Sequence, residues 1–350
     1  MTSQPQQAAA TEPVQAEGLA RLREWRSFRV RAEHVRDYGI LVVFLAMFLF
    51  LTFKSPVFLT KDNLLNLLYN NSGVGIAACA VTVVVICGNF DLSLGGIFIL
   101  SALLAAWVAV HWNIWLAFPV ALAAGVLMGL INGLLVTKLR VNAFLATLAS
   151  GLVFFGIDKA VSGGTAIYPG TSSGGSVHEG NIWTFLGQNK LGGSGGVQYP
   201  VIIFAVVAIV LQIVLARTVF GRHVYGIGGN REAARLSGLK VDRIIIITFV
   251  IAGFAAGLAG LLEYSAQGQG SPGDPTSQAL ALAAIAGVAL GGTSIFGGVG
   301  SVWRTVIGVL MLGLITNGFN LLGVPDFYQD IVRGGLIVVA VAIGSMVERR

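Results

Sequence analysis

Long apolar runs alternate with short polar breaks from Tyr38 to Val347. The runs fall at about 38–53, 71–88, 93–110, 114–136, 142–161, 199–216, 244–265, 278–292, 303–322 and 329–347. Most are roughly 16–24 residues long, the length that carries a helix across a bilayer, and the first and eighth are short. They are continuous rather than alternating, so the pattern predicts helices and excludes a barrel. The expected fold is therefore an all-α polytopic membrane protein with about ten transmembrane helices, spanning residues 38–350. Two of the breaks are long, 162–198 and 217–243. A third, short one holds a carboxylate between two runs: "GNFDLSLGG", Gly88 to Gly96.

Composition agrees. The chain of 350 residues is 55% hydrophobic and 11% charged, against about 25% charged in soluble domains. Its mean hydropathy is +0.81. The two cysteines, Cys79 and Cys87, share one apolar run. They read as small packing residues, not as a disulfide or metal framework. Residues 1–18 are polar and rich in Gln and Ala, with no signal-peptide core, and read as a disordered cytoplasmic tail. Residues 19–37 are basic with Leu22, Trp25, Phe28 and Val30 interspersed. That stretch reads as an interfacial helix lying on anionic lipid.

Charge sets the orientation. With the N-terminus inside, seventeen Lys and Arg residues fall on the inner side and five on the outer side. This positive-inside bias puts both termini, "GNFDLSLGG" and 217–243 in the cytoplasm, and 162–198 outside. The chain is expected in a cell membrane, the inner one where there are two.

The inner segment 217–243 contains a helix with its own start and stop. Asn230 can cap it, Glu232 lies in the first turn, and Gly238 can end it in the left-handed conformation. Two turns of helix outside the bilayer are not stable alone. They must dock, either on this chain as a solvated surface helix or on a partner.

Polar groups within the spans are few: Ser101, Asn132, Asn142, Thr147, Asp158, Thr248, Asn317 and Asn320. None forms a nucleophile–base or metal-ligand pattern, and no H-E-x-x-H occurs, which argues against an intramembrane enzyme. No paired ionisable groups suggest a proton or sodium relay. Asp91 or Ser93 at the inner start of the third run can cap that helix. The alternative is a gate, a broken helix reaching into a cavity.

Spans four and five, "GVLMGLINGLLVTKLRVNAFLATLASGLVF", resemble spans nine and ten, "GVLMLGLITNGFNLLGVPDFYQDIVRGGLIVV". An offset of five spans gives two inverted repeats, an arrangement that places a pathway between the halves. Asn132 and Asn317 occupy matching places and are pathway candidates. Their competing role is a helix–helix hydrogen bond.

The block "GRHVYGIGGNREAARLSGLKV" resembles the ribose/xylose-type monosaccharide permeases of ABC importers. So do "GNFDLSLGG", "LGGTSIFGGVGSVW" and "LITNGFNLLGVPDFYQDIVRGGLIVVAVAI", in the same order. Two departures are the Gly/Ser-rich outer loop and the missing Leu-Pro after "EAARLSG". The resemblance implies that Asn230, Glu232, Ala233, Ala234 and Gly238 form a coupling segment for a cytoplasmic ABC ATPase. This chain has no GxxxxGK[ST] loop, so ATP and Mg would be bound by that partner and the chain itself holds no cofactor. A second permease copy, or a related permease, would complete a dimer, with lipid around it and no nucleic-acid partner. A sugar-binding protein would dock outside, where Tyr168 and Trp183 either contact it or anchor the loop at the membrane surface. Asp91, Ser93, Asn132 and Asn317 would line the pathway or gate. The open alternatives are the same machinery for a nucleoside, a signalling sugar derivative or a branched-chain amino acid, and an ATP-independent channel or carrier.

Overall fold

The computed structural model describes residues 41–169, 177–273 and 275–325, with Gly39 and scattered positions between 327 and 338. The tail 1–18, the basic stretch 19–37 and most of the run at 329–347 lie outside the described residues.

The described chain is almost wholly helical. Its helices are α1 (Leu41–Lys54), α2 (Lys61–Asn70), α3 (Ser72–Ile86), α4 (Leu94–His111), α5 (Ile114–Thr137) and α6 (Ala143–Ser162). They continue with α7 (Val177–Gln188), α8 (Tyr199–Arg217), α9 (Val219–Gly229), α10 (Arg231–Leu236), α11 (Val241–Gln267), α12 (Pro275–Leu290) and α13 (Val302–Leu321). A two-residue hairpin, β1 (Lys190–Leu191) with β2 (Val197–Gln198), is the only sheet among the described residues. Helices α4, α5, α6, α8, α11 and α13 are long and apolar enough to cross a bilayer. Helices α2 and α3, bent by 47° at their junction, meet the same criteria together. The chain is a multi-pass, all-α membrane protein.

Helix α3 forms the centre. Every residue from Gly75 to Ile86 is buried, as expected of a helix apolar on all faces. Helices α8, α11, α12 and α13 surround it. Its one buried hydroxyl cross-link, Thr82 to Thr305 of α13, is 2.7 Å long. In contrast, α5 turns Leu127, Ile131 and Leu134 outward, at the spacing of one helix face. That face suits lipid. Trp112 and Trp115, both exposed at the turn between α4 and α5, suit the interface, where aromatic rings gather.

Glycines let α5 and α11 touch along their backbones. A Cβ on Gly129 would lie 2.3 Å from the Phe249 carbonyl oxygen, and one on Gly125 would lie 2.4 Å from that of Gly253. This is the small-residue packing expected of "AAGVLMGLINGLL" and "AGFAAGLAGLL".

The two ends of the bundle differ from the sequence expectation in detail. The outer segment 162–198 is not a plain loop, since it contains α7 and the hairpin. The inner segment 217–243 carries α9 as well as the expected α10. Asn142 is an exposed cap rather than an intramembrane group, accepting from Phe144 N–H at 3.0 Å. Of the two segments expected to be repeat copies, the first spans α5 and α6. The second is described only through α13.

Candidate functional site

Between α3 and α4 the chain runs without helix from Asn89 to Ser93. Asp91 sits in this break and is fully buried. Its Oδ1 accepts two hydrogen bonds from Ser93, one from the backbone N–H at 2.9 Å and one from the hydroxyl at 2.5 Å. Asp91 thus closes an Asx turn onto Ser93 just before α4, rather than capping the first turn of the helix as its position in the sequence suggested. Ser93 takes the N-terminal position but makes no side-chain bond to the helix backbone. Its hydroxyl instead links Asp91 to α5, since Asn132 Nδ2 donates to Ser93 Oγ at 2.6 Å. Helix α6 holds the same break, with Leu92 N–H donating to Thr147 Oγ1 at 3.0 Å.

The result is a buried polar node made by three helices. Glycines close around it: a Cβ on Gly96 would lie 2.7 Å from the Gly151 carbonyl oxygen. Asp91 Oδ2 and Asn132 Oδ1 have no hydrogen-bond donor among the described residues. Two buried acceptors left open cost about 1–3 kcal/mol each.

Asn317 does not join this node. It exchanges two hydrogen bonds with Asn63 of α2, at 2.8 and 3.2 Å. This is the helix–helix pairing that competed with a pathway role. The two asparagines matched by the repeat therefore have different partners.

Below the node lies a cleft of about 600 Å³, lined among others by Asn89, Phe90, Thr137, Arg140, Arg231 and Arg235. It connects the Asp91 break to α10. Arg140 adopts φ +56°, a conformation that costs a non-glycine residue about 1–2 kcal/mol. It follows the end of α5, where Val141 N–H reaches back to the Leu135 carbonyl. Arg235 pairs loosely with Asp242 at 3.9 Å, both side chains being largely exposed, so the pair contributes little.

Helix α10 has the start and stop that its sequence predicts. Asn230 Oδ1 accepts from Ala233 N–H at 2.9 Å, Glu232 lies in the first turn, and Gly238 takes φ +82°. Ala234 is buried against the bundle, while Glu232 and Ala233 are exposed. Leu236 is 81% exposed. The motif's spacing does not reveal this exposed apolar side chain.

At the opposite end the structure corrects one expectation. Trp183 is fully buried, and its Nε1–H donates to the Tyr264 carbonyl at 3.1 Å. An indole that finds such a partner belongs to packing, so its side chain is not open to a protein docking from outside. Ser265 Oγ ties the same helix down, donating to the Trp183 carbonyl at 2.6 Å and accepting from Gly187 N–H at 2.8 Å. Tyr168 is 44% exposed. Next to it, Ile167 and Gly270 exchange two backbone hydrogen bonds at 2.7 and 2.8 Å. Asp158 Oδ2 accepts from Gly273 N–H at 3.2 Å, so both outer loops are pinned together.

Comparison with known proteins fits this layout. The chain is 36% identical over 306 residues to the Ribose import permease protein RbsC of Escherichia coli K12, covering 87% of this chain and 92% of that one. It is 35% identical over 305 residues to the L-arabinose ABC transporter permease protein AraH of Azospirillum brasilense, covering 87% and 86%. It is 30% identical over 380 residues to the Xylose transport system permease protein XylH of Haemophilus influenzae, covering 92% and 100%. No solved structure matches the chain. The family model for the branched-chain amino acid transport system / permease component matches residues 63–341, most of the polytopic bundle, and the chain belongs to that permease family.

Proposed function

We propose that this chain is the membrane permease of an ATP-driven monosaccharide importer, with a pentose as the substrate class. The observation that carries the reading is its similarity, over nearly its whole length, to permeases named for ribose, arabinose and xylose. The buried node is consistent with it. A neutral sugar needs acceptors and donors but no counter-charge, and Asp91 Oδ2 and Asn132 Oδ1 offer two acceptors. In the conformation described they are shut away, so the node acts as a closed gate. Separating α4 from α6 would expose it to the cleft below.

Helix α10 is the ATPase contact. Glu232, Ala233 and Leu236 face outward from it, Asn230 and Gly238 fix its ends, and the buried Ala234 seats it on the bundle. ATP and Mg are held by the partner ATPase, and this chain contributes no nucleotide site. A sugar-binding protein delivers substrate at the outer end near Tyr168, and a second permease copy or a related permease completes the pathway. The chain sits in the cytoplasmic membrane with both termini inside.

Reversing the charge of the exposed Glu232 tests the docking. Glu232→Arg is expected to abolish co-purification of the ATPase and ATP-driven uptake while leaving the thermal transition of the permease unchanged. Normal uptake by that variant would remove the docking role from α10.

A further inference from the structure

Three segments far apart in sequence meet at the inner end of the bundle, chiefly through backbone. They are the end of α9 at Gly228 and Gly229, the end of α3 with Gly88, and the loop between α12 and α13 at Gly297 and Gly298. Gly298 N–H donates to the Ile86 carbonyl at 2.8 Å. A Cβ on Gly228 would lie 1.7 Å from that same carbonyl oxygen and 2.5 Å from Gly298 N. A Cβ on Gly297 would lie 2.9 Å from Gly88 Cα and 3.0 Å from the Gly228 carbonyl oxygen. One on Gly298 would lie 2.9 Å from Gly229 Cα. Gly88, Gly297 and Gly298 all have positive φ, at +78°, +95° and +75°. Beside the junction, Tyr225 Oη donates to the Gly300 carbonyl at 2.8 Å.

The consequence is mechanical. Side chains that separate two helices can change rotamer and absorb a displacement, but touching backbones cannot. Asn230, the cap of α10, follows Gly229 directly. Asp91 follows Gly88 by three residues. A shift of α10 must therefore move both the inner end of α3 and the loop that leads into α13. A second route runs from α10 through α11 and α5 to Asn132 and Ser93, but it reaches the break through a side-chain hydrogen bond rather than through touching backbones.

We propose that Gly228 is the positioning residue through which α10 drives the Asp91 break and the 291–301 loop together, coupling ATP use to sugar movement. This rests on the importer reading above. Helix propensity alone would make Gly228→Ala favourable in α9, so a loss of coupling must come from the contact with Ile86 and Gly298.

The experiment uses the full permease reconstituted with its ATPase and binding protein in liposomes, and reads sugar taken up per ATP hydrolysed. Gly228→Ala is expected to lower that ratio at least about tenfold, within the range of coupling between sites, while ATP hydrolysis continues. Gly226→Ala is the control, because a Cβ there meets nothing within 4 Å, and should keep the wild-type ratio. A merely structural role would lower uptake and hydrolysis in parallel and leave the ratio unchanged, which would overturn the proposal. If Gly228→Ala does not assemble, Tyr225→Phe removes only the hydrogen bond to Gly300. It should lower the same ratio about fivefold, on the scale of one hydrogen bond, and an unchanged ratio there is equally contrary. Absence of ATP-driven uptake by the wild-type complex would instead sink the importer reading itself.

Discussion

Asp91 is buried at no exposed surface, yet half of its hydrogen-bonding capacity is used within two residues of itself. That local half was legible in "GNFDLSLGG" only as a polar turn before an apolar run: the spacing suggested a helix cap, and the structure has an Asx turn onto Ser93 instead. The open Oδ2 and the long-range partners of the neighbouring residues were not legible. Asn132 and Thr147 reach the break from 39 and 55 residues away, and no local pattern announces such partners. Trp183 was misread for a related reason. An aromatic in a Gly/Ser-rich outer segment resembles a surface anchor until α7 is known to fold it onto Tyr264. The two Asp91 variants separate turn-holding from charge. Asp91→Asn keeps an acceptor for Ser93 and should retain most uptake with little change in thermal transition. Asp91→Leu leaves the Ser93 donors unpaired and should destabilise the permease by about 1–3 kcal/mol, with uptake falling accordingly. Equal loss of uptake in both variants, at equal assembly, would mean that the charge itself acts in the pathway.

Elements of the bundle were legible wherever hydropathy alone decides. The long runs became α4, α5, α6, α8, α11 and α13, and α10 has its expected cap and stop. Short helices α7 and α9 escaped notice because two or three turns draw their stability from tertiary contact, even though α9 buries a stripe at Gly221, Val224 and Ile227. Helix pairing was legible only as a tendency. The glycines of α5 and α11 promised close approach, but the choice of α11 as the partner of α5 needs the fold. That contact makes a definite prediction. Gly129→Val places a branched side chain where even a Cβ lies 2.3 Å from the Phe249 carbonyl oxygen, and should cost about 1–3 kcal/mol through overpacking. Ile131→Val, on the outward face of the same helix, should leave the thermal transition nearly unchanged. Equal effects of the two substitutions, read by thermal unfolding in detergent, would contradict the α5–α11 contact.

At the scale of the molecule, three of the four blocks that resemble sugar permeases turn out to be one place in space. "GNFDLSLGG", "GIGGN" and "IFGGVG" meet at the inner end, beside the cleft and beneath the Asp91 node. Sequence order could place each block at that end but could not bring them into contact. The outer end is closed in a different way, by backbone bonds between Ile167 and Gly270 and by Asp158 on Gly273. A pathway between these ends requires that each open in turn, which is the work expected of an ATP-coupled permease. The most direct test is uptake by the permease reconstituted in liposomes with its ATPase and binding protein, given labelled ribose, xylose, arabinose and a branched-chain amino acid. The account predicts uptake of at least one pentose that requires ATP and stops when hydrolysis is blocked. Pentose uptake that proceeds without ATP, or ATP-driven uptake of the amino acid alone, would contradict it.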